Sequence, residues 1–270
     1  MTKPLAAITG ASSGIGSVFA RRLAAQGYDL LLVARRGDRL EQLAAELERA
    51  HQIRAEACIA DLSAAEEMDR VARRLASEPR LELLVNNAGF GVKGRLWEMP
   101  LEDQLRMQHL HIDAILRLTH AALGPMVARG RGAIINVASV AGFTRSPGSV
   151  SYCATKAWLN AFTEGLYLDL KSAHSPVVVQ ALCPGFTYSE FHDVAGVDRA
   201  SIPKSLWLNV EDVVGASLAG LRRRKLFVVP GWRYKLVVAL ANRIPLRLRL
   251  AAEFAAPHNR GRLDGRRNPG

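Results

Sequence analysis

Leu5-Ala6-Ala7-Ile8-Thr9-Gly10-Ala11-Ser12-Ser13-Gly14-Ile15-Gly16 carries a short apolar run into three glycines spaced four and then two apart, and an amphipathic stretch, 14–26, follows at once. An apolar run that turns directly into a helical pattern reads as strand, tight turn, helix. The glycines let the backbone turn sharply and approach a pyrophosphate, while the unpaired N–H groups of a helix N-terminus favour an anion. Gly10, Gly14, Ile15 and Gly16 form the expected cradle, and Ser12 and Ser13 add hydroxyl donors. The spacing is GxxxGxG, not the commoner GxGxxG. A glycine turn with no ligand is the competing reading, and the strand-turn-helix context argues against it.

Outward from this turn, short β-like runs alternate with helix-length segments. Strands are expected at 5–9, 29–34, 54–60, 81–86, 133–138, 177–182 and 226–229, and helices at 14–26, 38–50, 64–77, 102–129, 151–172 and 210–223. Several strands are apolar almost throughout, as in Leu30-Leu31-Leu32-Val33, which suits a parallel sheet covered on both faces. The expected fold class is α/β: a doubly wound, mainly parallel, seven-stranded sheet with helices on both faces. Residues 1–230 read as one cofactor-binding and catalytic domain. Within it, 184–209 is too long for an ordinary connection and is rich in aromatics, as a binding lid would be. Residues 231–270 read as a basic amphipathic extension and tail.

The formal charge of +11 does not belong to the body of the chain. Residues 1–221 hold 23 Lys and Arg against 23 Asp and Glu, whereas 222–270 hold 13 against only Glu253 and Asp264. Any affinity for an anionic surface should therefore lie in the C-terminal segment. No nucleic-acid module is present and the aromatics do not interleave with the basic residues, so nucleic acid is not expected as a partner. Cys58, Cys153 and Cys183 lack disulfide or zinc spacing and read as small buried hydrophobes; no metal is expected. Lys3-Pro4 leads straight into the first strand, leaving no room for a leader, so the expected compartment is the reducing cytoplasm.

In an open parallel sheet, ligands bind at the carboxyl ends of the strands. The second strand ends Val33-Ala34-Arg35-Arg36, where an NAD-binding chain would carry a carboxylate for the ribose hydroxyl. Two arginines suit a 2′-phosphate instead, so the expected cofactor is NADP, with Asp38 as the rival ribose ligand. Asp61-Leu62 and Asn86-Asn87-Ala88-Gly89 end the third and fourth strands, beside the expected adenine and ribose. Each could equally be a helix cap or turn.

Ser139 follows the fifth strand, and Tyr152 and Lys156 stand one turn apart on the next helix. A phenol ionises near pH 10, so acid–base work near neutrality calls for lowering it by about 2–3 units. A neighbouring ammonium, together with the charge of an oxidised nicotinamide, has the right sign of field to do this. Ser139 would hydrogen-bond the substrate oxygen as charge develops there.

The ordered set Thr9–Gly16, Asp61, Asn86–Gly89, Ser139, Tyr152/Lys156 and Pro184-Gly185 resembles the short-chain dehydrogenase/reductase family over residues 5 to about 230. The resemblance implies hydride transfer between a nicotinamide and a carbonyl or alcohol, with Tyr152 as acid and base. It implies that Lys156 also binds the nicotinamide ribose, and that Pro184, Gly185 and Thr187 or Ser189 contact the nicotinamide amide. It further implies a dimer or tetramer formed through the helix of Tyr152 and the long helix before it. Many members place an Asn where this chain has Leu110-His111-Ile112, so His111 is expected to replace that Asn in a proton relay, either by holding a water or by titrating near neutrality. A helix-interface His bonded locally is the plainer alternative.

Phe90, Trp97, Phe143, Phe186, Tyr188 and Phe191 follow strand ends and suggest a small apolar carbonyl or alcohol substrate, or else packing of the lid; Arg145 and His192 are isolated. Residues 232–250 mix apolar and basic residues, a pattern that fits peripheral membrane contact, a cover for the cleft, or a dimer surface. The rival to an enzyme is a weakly active or inactive NADP-sensing protein on the same fold.

Overall fold

The structure is a computed structural model describing residues 2–191, 199, 202–241 and 243–255. Seven strands form one parallel sheet: β1 (Leu5–Thr9), β2 (Asp29–Ala34), β3 (Ala55–Ile59), β4 (Leu81–Asn86), β5 (Ala133–Val137), β6 (Val178–Leu182) and β7 (Phe227–Val228). Their spatial order is β3-β2-β1-β4-β5-β6-β7. The order reverses between β1 and β4, which opens a crevice at their carboxyl ends.

Successive side chains on β1 leave opposite faces of the sheet, and both faces are covered. Ala6 and Ile8 join a core with Leu30, Leu32, Leu83 and Val85 beneath α1 (Gly14–Ala24), α2 (Gly37–His51) and α7 (Val210–Arg222). Leu5 and Ala7 join the opposite core with Leu31, Val33 and Leu84 beneath α3 (Ala65–Ala76) and α5 (Ala114–Arg129). Such two-sided burial is why these strands are apolar throughout instead of alternating. A smaller cluster, Ile115, Ala138, Leu159, Ala181 and Cys183, seats α6 (Val150–Ser172).

Every expected strand is present to within one residue at each end. The stretch expected as one helix, 102–129, is instead α4 (Leu101–Gln108), a π turn at His109–Asp113, and α5. A π turn adds a residue to one turn without breaking the helical rod, so amphipathic spacing does not reveal it; such turns are frequent at functional sites. Beyond β7 the chain forms α8 (Trp232–Ala241) and α9 (Leu246–Ala255), separated by Pro245. Within the described part of 184–209, Thr187 bridges Leu208 in parallel.

Candidate active site

The strand ends open into a cleft of about 620 Å³. Gly10, with φ of +67°, starts its cofactor end: a Cβ there would lie 2.8 Å from Asn87 Nδ2 and 2.9 Å from Ala88 Cα. Gly16 packs α1 against the same turn, since a Cβ on it would stand 2.3 Å from the Gly10 carbonyl oxygen. Asn87 braces the turn from the β4 side, its Nδ2 donating to Thr9 O at 2.9 Å and its backbone N–H to Thr9 Oγ1 at 2.9 Å. Thus the Asn87 side chain is committed to holding the glycine turn in shape.

The start of α1 suits an anion. Its N-cap, Ser13, makes no side-chain cap bond, and the first turn contains no acid. The Arg36 guanidinium donates to Ser13 Oγ at 2.7 Å and to Ser12 Oγ at 3.2 Å, which brings a cation to the same mouth. Helix dipole and free N–H groups favour a phosphate at this N-terminus, so the residues present fit the pyrophosphate of a dinucleotide, with the Arg36 guanidinium at its edge. Arg36 and Arg39 converge on Glu190, at 2.7 and 2.8 Å, whereas Arg35 faces Asp61 at 3.8 Å. Asp61 also accepts from the Ser63 backbone N–H and hydroxyl, at 3.0 and 2.7 Å, and these bonds hold its carboxyl below its ordinary pKa against burial.

At the other end of the cleft, Ser139 lies just beyond β5 and caps a short 3-10 turn by accepting from Ala141 N–H at 3.1 Å. Tyr152 and Lys156 reach it from the first turns of α6. Lys156 is buried and donates to the Val137 carbonyl at 2.8 Å; burial brings its pKa down to about 8. Its Nζ stands 5.9 Å from the centre of the Tyr152 ring. Burial pushes the phenol up to about 12, against the opposing hydrogen bond with Ser139. The expected lowering of the phenol is therefore not produced by these side chains alone: desolvation of a phenolate outweighs the hydrogen bond with Ser139.

His111 occupies the π turn, fully buried, with its ring 5.9 Å from that of Tyr152. Thr155 Oγ1 donates to the Tyr152 carbonyl at 3.0 Å and lies 3.0 Å from His111 Nδ1, so the imidazole proton is assigned to Nδ1. Nε2 is left as a buried acceptor without a partner among the described residues, pointing over Gly89. Burial, aided by the charge of Lys156, holds the imidazole well below its ordinary pKa. Of the two roles open to His111, this burial opposes titration near neutrality and favours a neutral ring.

Gly10, Ser12, Ser13, Gly14, Ile15, Arg35, Arg36, Asp61, Leu62, Asn87, Ala88, Gly89, Ser139, Tyr152, Lys156, Pro184, Gly185 and Thr187 all line this one cleft. Gly16 and His111 stand behind its wall, the first packing α1 and the second backing Tyr152. Of the aromatics, Phe90, Phe186 and Phe191 face the cleft. Phe143 instead packs on Phe227, Tyr188 stacks on Trp207 and Trp97 is 80% exposed. Arg145 donates to the Gly142 and Thr144 carbonyls, and His192 lies outside the described residues. All three cysteines are buried and outside any disulfide.

Sequence reading passed over several residues of the wall, notably Lys93, Leu206, Tyr234 and Val237. Tyr234 clamps α8 to the rest, accepting from Phe186 N–H at 3.1 Å and donating to Leu206 O at 2.5 Å. Its ring lies against Gly185, where a Cβ would stand 2.0 Å from Cζ. The glycine after Pro184 was thus a signal that something packs flush there, without saying what.

Comparison with known proteins agrees with this arrangement. Residues 4–199 match the family model described as short chain dehydrogenase. Sulfoacetaldehyde reductase 2 of Chromohalobacter salexigens is 36% identical over 198 residues, 72% of this chain and 77% of that protein. A short-chain dehydrogenase from Sphingobium yanoikuyae, solved in complex with NADPH, is 36% identical and superposes with a TM-score of 0.81 over 90% of this chain and 97% of that one. A Burkholderia phymatum short-chain dehydrogenase/reductase solved with NAD is 26% identical, with a TM-score of 0.78 over 88% and 92% of the two chains. With its parallel sheet, its nucleotide cradle and its Ser139, Tyr152 and Lys156 gathered in one cleft, the chain belongs to the short-chain dehydrogenase/reductase family of oxidoreductases.

Proposed function

We propose that the chain catalyses the NADP(H)-dependent interconversion of an apolar ketone or aldehyde and its alcohol. The observation that carries this reading is the convergence of Ser139, Tyr152 and Lys156 on the cleft whose other end holds the glycine turn and Arg36. A nicotinamide bound there would exchange the hydride with the substrate carbon. In reduction, the Ser139 hydroxyl donates to the carbonyl oxygen as negative charge builds on it, and the Tyr152 phenol delivers its proton to the same oxygen. A phenol pushed up to about 12 keeps that proton throughout the physiological range. Lys156, an ammonium below about pH 8, stabilises the phenolate left behind and offers donors to the ribose hydroxyls. Oxidation runs the same groups in reverse.

Two features favour NADP over NAD. Arg36 and Arg39 converge on a single carboxylate, Glu190, forming a fork that would suit a 2′-phosphate. Asp38, the rival ribose ligand, is exposed and not part of the cleft wall. The apolar side chains Phe90, Val92, Phe191, Leu206 and Val237 favour a bulky apolar substrate. Lys93 among them favours a second reading, a carbonyl compound carrying an anionic group. Behind the phenol, the Nε2 lone pair of His111 is a seat for a buried water, which would serve the relay that Asn serves in the resemblance. His111→Asn should keep turnover and His111→Leu should lose at least about tenfold; equal turnover of the two would remove the relay. Exposed Leu116 and Val127 on α5 and Leu168 on α6 support self-association through these helices.

The test is a panel of apolar and anionic ketones, aldehydes and alcohols assayed with NADPH, NADH and their oxidised forms. Turnover with apolar carbonyls and a lower KM for NADPH is expected. A lower KM for NADH would sink the 2′-phosphate assignment, and tight nucleotide binding with no turnover on any compound would favour the sensor.

A further inference from the structure

We infer that the outward face of α8, continued by α9, docks on an anionic lipid bilayer. On α8 the inward side is accounted for: Tyr234 and Ala241 are buried, with Val238 half-buried beside them. The opposite side is also apolar. Trp232, Leu236 and Leu240 recur at i, i+4 and i+8, which places them in one row along the helix, and all three are exposed, Trp232 by 68%. A helix that is apolar on both sides calls for cover on both. Ile244, Leu246, Leu248 and Leu250 extend the exposed apolar surface into α9, Leu248 by 63%.

The surrounding charge selects the occupant. Arg233 and Lys235 flank the row on either side, Arg243 and Arg247 follow it, all are exposed, and no acidic residue occurs between 230 and 252. Arg233 lies over the Trp232 ring at 5.0 Å and donates to Ser205 O at 2.6 Å, so its charge is held at the edge of the apolar row. An apolar row edged by cations of one sign matches an acyl layer beneath anionic headgroups. A second copy would bring the same cations face to face. No helix among the described residues is long and apolar enough to cross a membrane, so the segment lies on the surface. Val237, on the same helix, also lines the cleft, so docking would set the cleft mouth beside the bilayer. The inference does not depend on the cofactor or on the reaction.

The experiment is sedimentation of the full chain with vesicles of phosphatidylglycerol and phosphatidylcholine in equal parts, and with vesicles of phosphatidylcholine alone. Binding should be about tenfold or more tighter on the anionic vesicles and weaken in high salt. Leu236→Glu/Leu240→Glu, which leaves the cleft residues untouched, should abolish it with nucleotide binding retained. Arg243→Glu/Arg247→Glu, which keeps the apolar row, should weaken it about tenfold. No pelleting, equal pelleting on both vesicles, or indifference to both variants would overturn the inference. So would wild-type dimers that the leucine variant splits in vesicle-free solution, because the row would then join two copies.

Discussion

The two ends of the cleft are built in different ways. At the cofactor end the backbone does most of the shaping: Gly10, Gly16 and Ala88 approach one another closely, and Asn87 locks the turn through bonds to Thr9. At the substrate end the shape comes from side chains on distant segments, with Phe90, Phe191, Leu206, Tyr234 and Val237 meeting only because the chain returns to the same strand ends. The first arrangement leaves no room for added atoms at Gly10 and Gly16; the second can be altered residue by residue. A shared scaffold with interchangeable walls is how one fold accommodates many substrates.

The contrast can be broken most forcefully at its glycines. Gly16→Val should destabilise the domain by about 2–3 kcal/mol through overpacking against Gly10 and abolish nucleotide binding. Gly185→Ala should unseat Tyr234 and raise substrate KM while leaving nucleotide affinity within about threefold, as expected where the wall can relax. Thermal melts and nucleotide titrations of the two variants would check this; equal loss of nucleotide binding in both would erase the distinction.

Lys156 sharpens it from the chemical side. Its pKa of about 8, against an ordinary value of 10.5, means that the folded state disfavours the ammonium. The cost is therefore full below pH 8, shrinks as pH rises from 8 to 10.5, and vanishes above. Lys156→Met should melt higher than the parent at pH 7, by up to about 3 kcal/mol, with the gap closing toward pH 10. A gap independent of pH would mean that the lysine is not buried as a strained charge.

Arg36→Ala should weaken NADPH binding about 10- to 100-fold with little change for NADH, the worth of a charge-assisted pair to phosphate. Glu190→Gln, freeing Arg36 and Arg39 from an exposed pair, should tighten NADPH by no more than about fivefold. Titration calorimetry with both nucleotides reads both effects. Equal losses for the two nucleotides would place Arg36 on the pyrophosphate instead.

What sequence alone reveals follows the same division. The seven strands and the residues just past them are legible because each is local: an apolar run, then a glycine, Ser139 or Asp61 at its end. The substrate wall is not, because contact there depends on chain reversals that no short window records. Phe143 and Phe186 look alike in sequence, yet one packs on Phe227 and the other faces the cleft. Arg39 lies in the first turn of α2 and would pass for a solvated helix charge but for the arrival of Glu190 from beyond β6. The behaviour of His111 and Tyr152 was hidden for a related reason, since depth of burial decides their protonation and residue type does not.

The central claim is that Tyr152 moves the proton while the opposite end of the cleft merely holds the nucleotide. The direct measurement is steady-state reduction of an accepted ketone by Tyr152→Phe alongside its NADPH affinity. Turnover should fall by about 10²–10⁴-fold with affinity held within about threefold. Turnover that survives within tenfold would contradict the account.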